Sequence, residues 1–470
     1  MLKGSIRVDE LVSGGEGQRV ESFGYRQELH RSLTLTDLLV YGLVFISPTA
    51  PFPVFGIIFN ASHGMVPLVY AVGLVAMLFT AFSYMTMSRA YPVAGSVYTY
   101  ASRAIHPVMG FFAGWGILLD YILQPTLIYV ICAIAIQVSI PDVPRGVWVV
   151  VLLGFSTAVN YFGIELATRV NTALLALQLF MLALFLVLAV IAFAHGVNGA
   201  HLSLAPLFNA KYFSPALIFR ALSLAVLSFL GFDAISTLAE ETKGGVGVVG
   251  RATILSLCLA AFLFVLQTYV GSLFVLGHAS FASGTATDQA FYTVAQAVGG
   301  DWYKKVASGI GVLCGGIPAA LTAQAATSRL IYGMARDHKL PHVFAHVHPR
   351  TKVPDIAIFV VAAVTLVLGL FLVNQLELLT SMVSFGALLG FLLLHCSVVA
   401  YGIREGRTGQ WLRHLVSPVI GFVIIGYVLW NTEDNAKIAG GCWLAVGVVY
   451  LIALTLMGRS TALEVNDTPT

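Results

Sequence analysis

Two carboxylates stand in stretches otherwise suited to hydrocarbon. Asp233 closes the run Leu227-Ser228-Phe229-Leu230-Gly231-Phe232-Asp233, and Asp120 follows Gly114-Trp115-Gly116 and precedes Tyr121. An ionised side chain at the centre of a bilayer costs about 2.5–3.5 kcal/mol on insertion scales, so such residues mark functional candidates. Asp233 has two readings that can both hold. It can cap the freed N–H groups of a half-helix, or it can serve as counter-ion to a cationic ligand or as a proton site. Asp120 has a plainer alternative, a hydrogen bond to a neighbouring helix. Gly231 weakens a helix beside the acid. Phe229, Phe232 and Tyr121 can offer ring faces to a cation, or they can pack in an ordinary core.

A second unusual stretch is Ser47-Pro48-Thr49-Ala50-Pro51-Phe52-Pro53, inside the apolar segment 35–59. Proline has no N–H and clashes with the carbonyl four residues back, and it pushes the preceding residue out of the helical region. A continuous helix through Pro48, Pro51 and Pro53 is not expected. In hydrocarbon, freed backbone groups are tolerated only where they are packed in protein or line a wet cavity. Paired interruptions of this kind point to the binding site of a transporter. Ser47, Thr49 and Ala50 are therefore candidates for substrate binding, with Asp120, Tyr121, Phe229, Gly231, Phe232 and Asp233. The structural alternative is a kinked helix with no site.

The elements that must carry these residues are membrane spans. The chain of 470 residues is 58% hydrophobic and 10% charged, with a mean hydropathy of +0.88, which excludes a soluble domain. Apolar segments are expected at about 35–59, 65–88, 107–138, 145–163, 168–195, 215–240, 251–277, 302–335, 354–373, 376–402, 414–430 and 437–457. Twelve spans put both termini on one side. With that side inside, 19 Lys and Arg fall inside and 6 outside, so both termini are expected in the cytoplasm. Residues 1–34 and 458–470 read as polar tails, and no cleavable signal peptide is visible in the first 34 residues. The stretches 196–214 and 278–301 read as outer loops without a folded domain.

Several features lead away from other chemistry. A net charge of +3 is too small to suggest nucleic acid. Cys132, Cys258, Cys314, Cys396 and Cys442 form no CxxC pair and read as buried free thiols. His338, His342, His346 and His348 have a spacing that can bind metal, but no Cys or carboxylate pattern completes a site, so no metal is assigned. The run Gly244-Gly245-Val246-Gly247-Val248-Val249-Gly250 lacks the Lys-Ser/Thr ending of a phosphate loop and reads as a flexible inner loop. No cofactor motif is present. No nucleophile–base pair lies at membrane depth, which argues against an intramembrane enzyme, and no attached signalling domain supports a sensor.

Segments one and six hold the same place in two blocks of five, the layout of an inverted repeat. At this point the chain resembles the amino acid–polyamine–organocation (APC) superfamily. The resemblance rests on Tyr91-Pro92-Val93-Ala94-Gly95-Ser96-Val97-Tyr98-Thr99-Tyr100, Gly110 to Trp115 (GFFAGW), Ser228 to Asp233 (SFLGFD) and Glu240-Glu241-Thr242. It continues through Ser328 to Asp337 (SRLIYGMARD) and His348-Pro349, and spans roughly residues 30–455 in order. Leu118-Leu119-Asp120-Tyr121 and Ser384-Phe385-Gly386-Ala387-Leu388 are most similar to bacterial putrescine importers.

The resemblance implies an all-α integral membrane protein with twelve helices in a LeuT-like 5+5 inverted repeat, helices one and six broken. The core would span 35–402, with two further helices in 403–457. It implies a multi-pass carrier in the plasma (inner) membrane, importing a small amine or amino acid by alternating access. Amino acid permeases usually carry a Gly-x-Gly-like break in segment one that holds a substrate carboxylate. Here prolines occupy that region, which favours an amine lacking a carboxylate. Putrescine importers usually place an Asp where this chain has Pro53, which removes one counter-ion. Some proton-coupled relatives carry a lysine in segment five where Gln178 stands, so a proton would need Asp233 or Asp120. Sodium could instead use Thr327 and Ser328, whose alternative role is back-bonding within a helix. A monovalent cation moving inward gains about 2.3 kcal/mol per 100 mV, roughly 40–50-fold accumulation, without any coupling ion.

Overall fold

A computed structural model describes residues 31–456 except 92–95, 140–141, 163, 244–246, 283–284, 289, 337–339, 374–375, 407–409 and 433. Both expected tails, apart from 31–34, lie outside the described residues. So do Pro92 to Gly95, Gly244 to Val246, Asp337 and His338. Among the described residues, six helices are long and apolar enough to cross a bilayer, eight if each of two bent pairs counts as one span. The chain is an all-helical integral membrane protein.

The first bent pair is α1 (Leu35–Ile46) and α2 (Pro51–Ser62), set at 54°. A capping box starts α1: Thr34 N–H donates to the Asp37 carboxylate at 2.8 Å, and Thr34 Oγ1 accepts from Asp37 N–H. It ends at Ser47, whose φ of 62° leaves the helical region. The prolines do not kink one helix. They separate two, because Pro51 and Pro53 occupy the first turn of α2, where their missing N–H groups have no helical partner anyway.

Further helices are α3 (Val66–Ala90), α4 (Ser96–Ala104), α5 (Pro107–Ser139), α6 (Arg145–Tyr161) and α7 (Ile164–Ala194). The second bent pair follows. Ser214 caps α8 (Pro215–Phe229), which stops at Leu230 and Gly231, and a 3-10 stretch Phe232–Glu241 continues at 41°. Gly231 has φ 111°, and a Cβ there would overlap the Phe45 ring at the end of α1. The two interruptions thus touch directly. The remaining helices are α9 (Val248–Leu273), α10 (Ala290–Arg336), α11 (Asp355–Phe371), α12 (Leu376–Arg404), α13 (Ser417–Trp430) and α14 (Asp434–Leu456).

Three departures from the sequence reading have physical causes. The N-terminal part of α10, before a break at Gly300 (φ 76°), falls in a stretch expected to be loop. It is too short to cross a membrane by itself, yet Phe291, Val294, Ala295 and Val298 recur at helical spacing and are buried. Helix α4 was not foreseen; it is short, and its buried side chains pack against the next helix, α5, and against α12. Cys442 is exposed and Cys258 and Cys396 are half-buried, because apolar helices facing lipid leave side chains uncovered by protein; Cys132 is buried and Cys314 lies outside the described side chains.

At the end of the molecule nearest residue 31, the chain entering α1 is pinned to the end of the second break. Leu33 and Thr242 form a parallel bridge, and Lys243 N–H donates to Leu33 C=O at 2.7 Å. Glu241 closes the 3-10 stretch of the second bent pair. It is buried and ion-paired with the buried Arg329 of α10, whose Nη2 donates at 3.1 Å. The Glu240 side chain lies outside the described ones. At the opposite end, Asn60 of α2 exchanges two hydrogen bonds with the Phe281 backbone at 2.8 and 2.9 Å, and Phe52 stacks on Phe291.

Gly231→Ala tests the contact between the breaks. It forces a side chain into a left-handed residue and into Phe45, and overpacking alone costs about 1–3 kcal/mol. The purified variant is expected to melt several degrees lower than the unmodified protein; an unchanged melting temperature would show that the breaks do not abut.

Candidate functional site

The broken second pair delivers Asp233 into the protein interior. Its side chain is 1% exposed. Asp233 Oδ1 accepts the Gly231 N–H at 3.2 Å, so the acid satisfies the break itself rather than a later turn of the helix. Asp233 Oδ2 accepts the Tyr121 hydroxyl at 2.6 Å, and the Tyr84 hydroxyl stands at 3.5 Å. Tyr121 comes from α5 and Tyr84 from α3, so three elements converge on one carboxylate. Among the described residues no basic side chain pairs with it.

The first break is held by amides. Gln178 of α7 donates through Nε2 to Ser47 Oγ at 2.7 Å and to Thr49 Oγ1 at 2.8 Å. Gln267 of α9 donates through Nε2 to the Pro48 carbonyl at 2.7 Å. These bonds satisfy groups that hydrocarbon would leave costly. Ala50 continues the turn, its N–H donating to Ser47 C=O at 2.9 Å. Neither amide can titrate, so both fix the loop without carrying a proton.

The aromatic candidates separate. Phe232 lies by the acid, edge-on to Tyr84 at 5.9 Å and tilted against Phe391 of α12 at 5.7 Å. Phe229 points the other way, into Tyr70 and Phe264 at 5.8 and 5.4 Å, and a Cβ on Gly73 would crowd its ring. Its surroundings are those of core packing.

Asp120 is also 1% exposed, and its Oδ1 has no hydrogen-bond partner, so the expected bond to a neighbouring helix is not formed. Helix α12 passes close beside it: a Cβ on Gly386 would lie 2.7 Å from Asp120 N. Thr327 of α10 has a definite structural task. Pro125 sits inside α5 and cannot donate to Tyr121 C=O four residues back. Thr327 Oγ1 approaches that carbonyl at 2.6 Å and its own Ala323 C=O at 2.8 Å. Ser328 Oγ donates to Ala325 C=O at 2.8 Å. Both hydroxyls thus back-bond within their helix. Of the four histidines, His346 pairs with Asp355 at 2.7 Å, and His348 accepts from Thr351 N–H at 3.2 Å.

Sequence reasoning missed Tyr84 and Gln267 and gave Gln178 no structural part. Tyr84 and Gln267 lie in segments two and seven as polar groups within apolar runs, which was the one signal available.

A helical membrane protein in which two broken helices meet at a buried acid has the build of a solute transporter. The model of the amino acid permease family matches residues 36–454, and the chain belongs to that family of transporters; it is not an enzyme. It is 33% identical over 448 residues to the low-affinity putrescine importer PlaP of Escherichia coli K12, covering 94% of this chain and 97% of that protein. It is 25% identical to the branched-chain amino acid permease BcaP of Bacillus subtilis, covering 95% and 97% respectively. Cationic amino acid transporter 4 of the mouse is 26% identical, over 82% of this chain and 62% of that protein.

Gln178→Leu strips two bonds from Ser47 and Thr49 at nearly constant volume. Unsatisfied buried groups cost about 1–3 kcal/mol, so a lower thermal midpoint in detergent is expected. A midpoint equal to that of the unmodified protein would mean that the amide does not support the break.

Proposed function

We propose that the chain imports a small organic amine of the putrescine kind across the plasma membrane by alternating access. Twelve spans in a LeuT-like 5+5 inverted repeat, with both termini cytoplasmic, form the architecture that this reading assumes. The observation that carries it is Asp233: a buried carboxylate at a helix break, held by tyrosine hydroxyls and without a basic partner. An ammonium group completes such a site, because a buried anion is stable only when paired. Phe232 and Tyr121 border the same acid and supply ring faces and a hydroxyl. Ser47, Thr49, Ala50 and Gly231 shape the floor through the two breaks. The similarity to PlaP supports the substrate class.

Coupling follows the same chemistry. Gln178 cannot exchange a proton, which leaves Asp233 or Asp120 for that task. Thr327 and Ser328 would have to leave their carbonyl partners to bind sodium. Membrane potential alone drives a cation inward, so uptake through voltage is the simplest scheme. The alternative is a proton-coupled amino acid permease or an amino acid/amine exchanger, which the similarity to BcaP favours.

Uptake of labelled putrescine into proteoliposomes with an inside-negative potential tests the reading. Saturable uptake that neutral amino acids do not inhibit is expected. Asp233→Asn removes the charge and is expected to lower uptake by about tenfold or more, the worth of a charged hydrogen bond of ~1.5–3 kcal/mol. Near-normal uptake by this variant would remove Asp233 as counter-ion. Saturable uptake of a zwitterionic amino acid without competition by amines would favour the alternative.

A further inference from the structure

The strongest feature that the amine site leaves unused is a pair of orphan acceptors on α5. Asp120 Oδ1 and Gln124 Oε1 are both buried and have no hydrogen-bond partner. Their residues are 1% and 7% exposed. Four residues apart on a helix, they stand one above the other on the same face. A buried acceptor left unpaired costs about 1–3 kcal/mol, more when charged. Two of them in adjacent turns, one a carboxylate, form a donor-seeking surface.

The pair belongs to the neighbourhood of Asp233. Tyr121, next to Asp120 on α5, donates to Asp233 at 2.6 Å. Its position is fixed, because Gly386 lets α12 press against its backbone and Pro125 with Thr327 locks the following turn. Two acids in one low-dielectric region repel each other. A monovalent ligand at Asp233 leaves Asp120 uncompensated.

We propose that Asp120 and Gln124 form a second ammonium subsite, which takes the end of a diamine that Asp233 does not hold. The inference rests on the amine reading given above and extends it by naming the residues for the second ammonium. One ammonium donates to Asp233. The other has three N–H donors, enough to serve Asp120 Oδ1 and Gln124 Oε1 together. The apolar chain between them meets the rings of Phe232 and Tyr84. A zwitterionic amino acid would bring its carboxylate towards Asp120 and be repelled, and a monoamine would leave one acid unpaired.

The test compares 1,4-diaminobutane with n-butylamine, which share a four-carbon chain and differ by one ammonium. In proteoliposomes, Asp120→Asn is expected to lower the ratio of diamine to monoamine uptake efficiency by about tenfold or more, the range of a lost hydrogen bond to a charged group, and Gln124→Met by about threefold, the range of an ordinary hydrogen bond. Equal loss for both amines, or an unchanged ratio, overturns the subsite while Asp233 keeps its role. No uptake of either amine by the unmodified protein overturns the amine reading and the subsite with it. Should the variants not fold, thermal shifts of the unmodified protein decide: a larger stabilisation by 1,4-diaminobutane than by n-butylamine at equal concentration is expected, and equal shifts refute the proposal.

Discussion

Backbone groups freed inside hydrocarbon must find partners within the protein, and the whole architecture answers that constraint twice. At the first break, prolines remove donors and a left-handed Ser47 turns the chain. Gln178 and Gln267 then reach in from α7 and α9 to satisfy the exposed hydroxyls and carbonyl. At the second break, Asp233 accepts the Gly231 N–H. Because Gly231 has no side chain, Phe45 can close over it, and the two gaps share one wall. Without these partners each break would cost several kcal/mol per orphaned group.

The same economy sorts the charges. Glu241 and Arg329 are both buried and opposed, so their charges cancel where they lie and pin the end of the second break to α10. A buried pair of this kind gives positional definition more than net stability. Asp233 and Asp120 are equally buried, but their neighbours are hydroxyls, amides and rings. Tyrosine hydroxyls soften the cost of a carboxylate without neutralising it. In the proposed function, compensation of that charge falls to a bound cation, which would separate these two acids from Glu241.

The spans around the breaks are held at fixed spacing by small residues and by filled gaps. Gly386 brings α12 to the backbone of α5, and Thr327 answers the carbonyl that Pro125 leaves free. Trp115 and Trp443 exchange indole N–H bonds with each other's carbonyls at 2.9 and 2.7 Å, which ties α14 to α5. The face of α5 that carries Asp120, Tyr121 and Gln124 is thereby set by α10, α12 and α14, and the second break meets it through the hydrogen bond of Tyr121 to Asp233.

The sequence by itself determined where the backbone fails and where charge sits in the membrane. Pro48, Pro51 and Pro53, and Gly231 beside Asp233, are local chemical facts: missing donors, missing side chains and one carboxylate act on their own few residues. Long apolar runs likewise fix the spans, and the family match covers the stretch over which the resemblance was read. Only the tertiary structure decided which way side chains face and whom they meet. Phe229 and Phe232 are three residues apart on either side of Gly231, yet one fills the core against Tyr70 and Phe264 while the other borders the acid. Tyr84 meets Asp233 across 149 residues, Gln178 meets Ser47 across 131, and Glu241 meets Arg329 across 88. Such partners are chosen by the relative rotation and spacing of whole helices. That depends on packing summed over the entire bundle and leaves no trace in any short stretch of the chain.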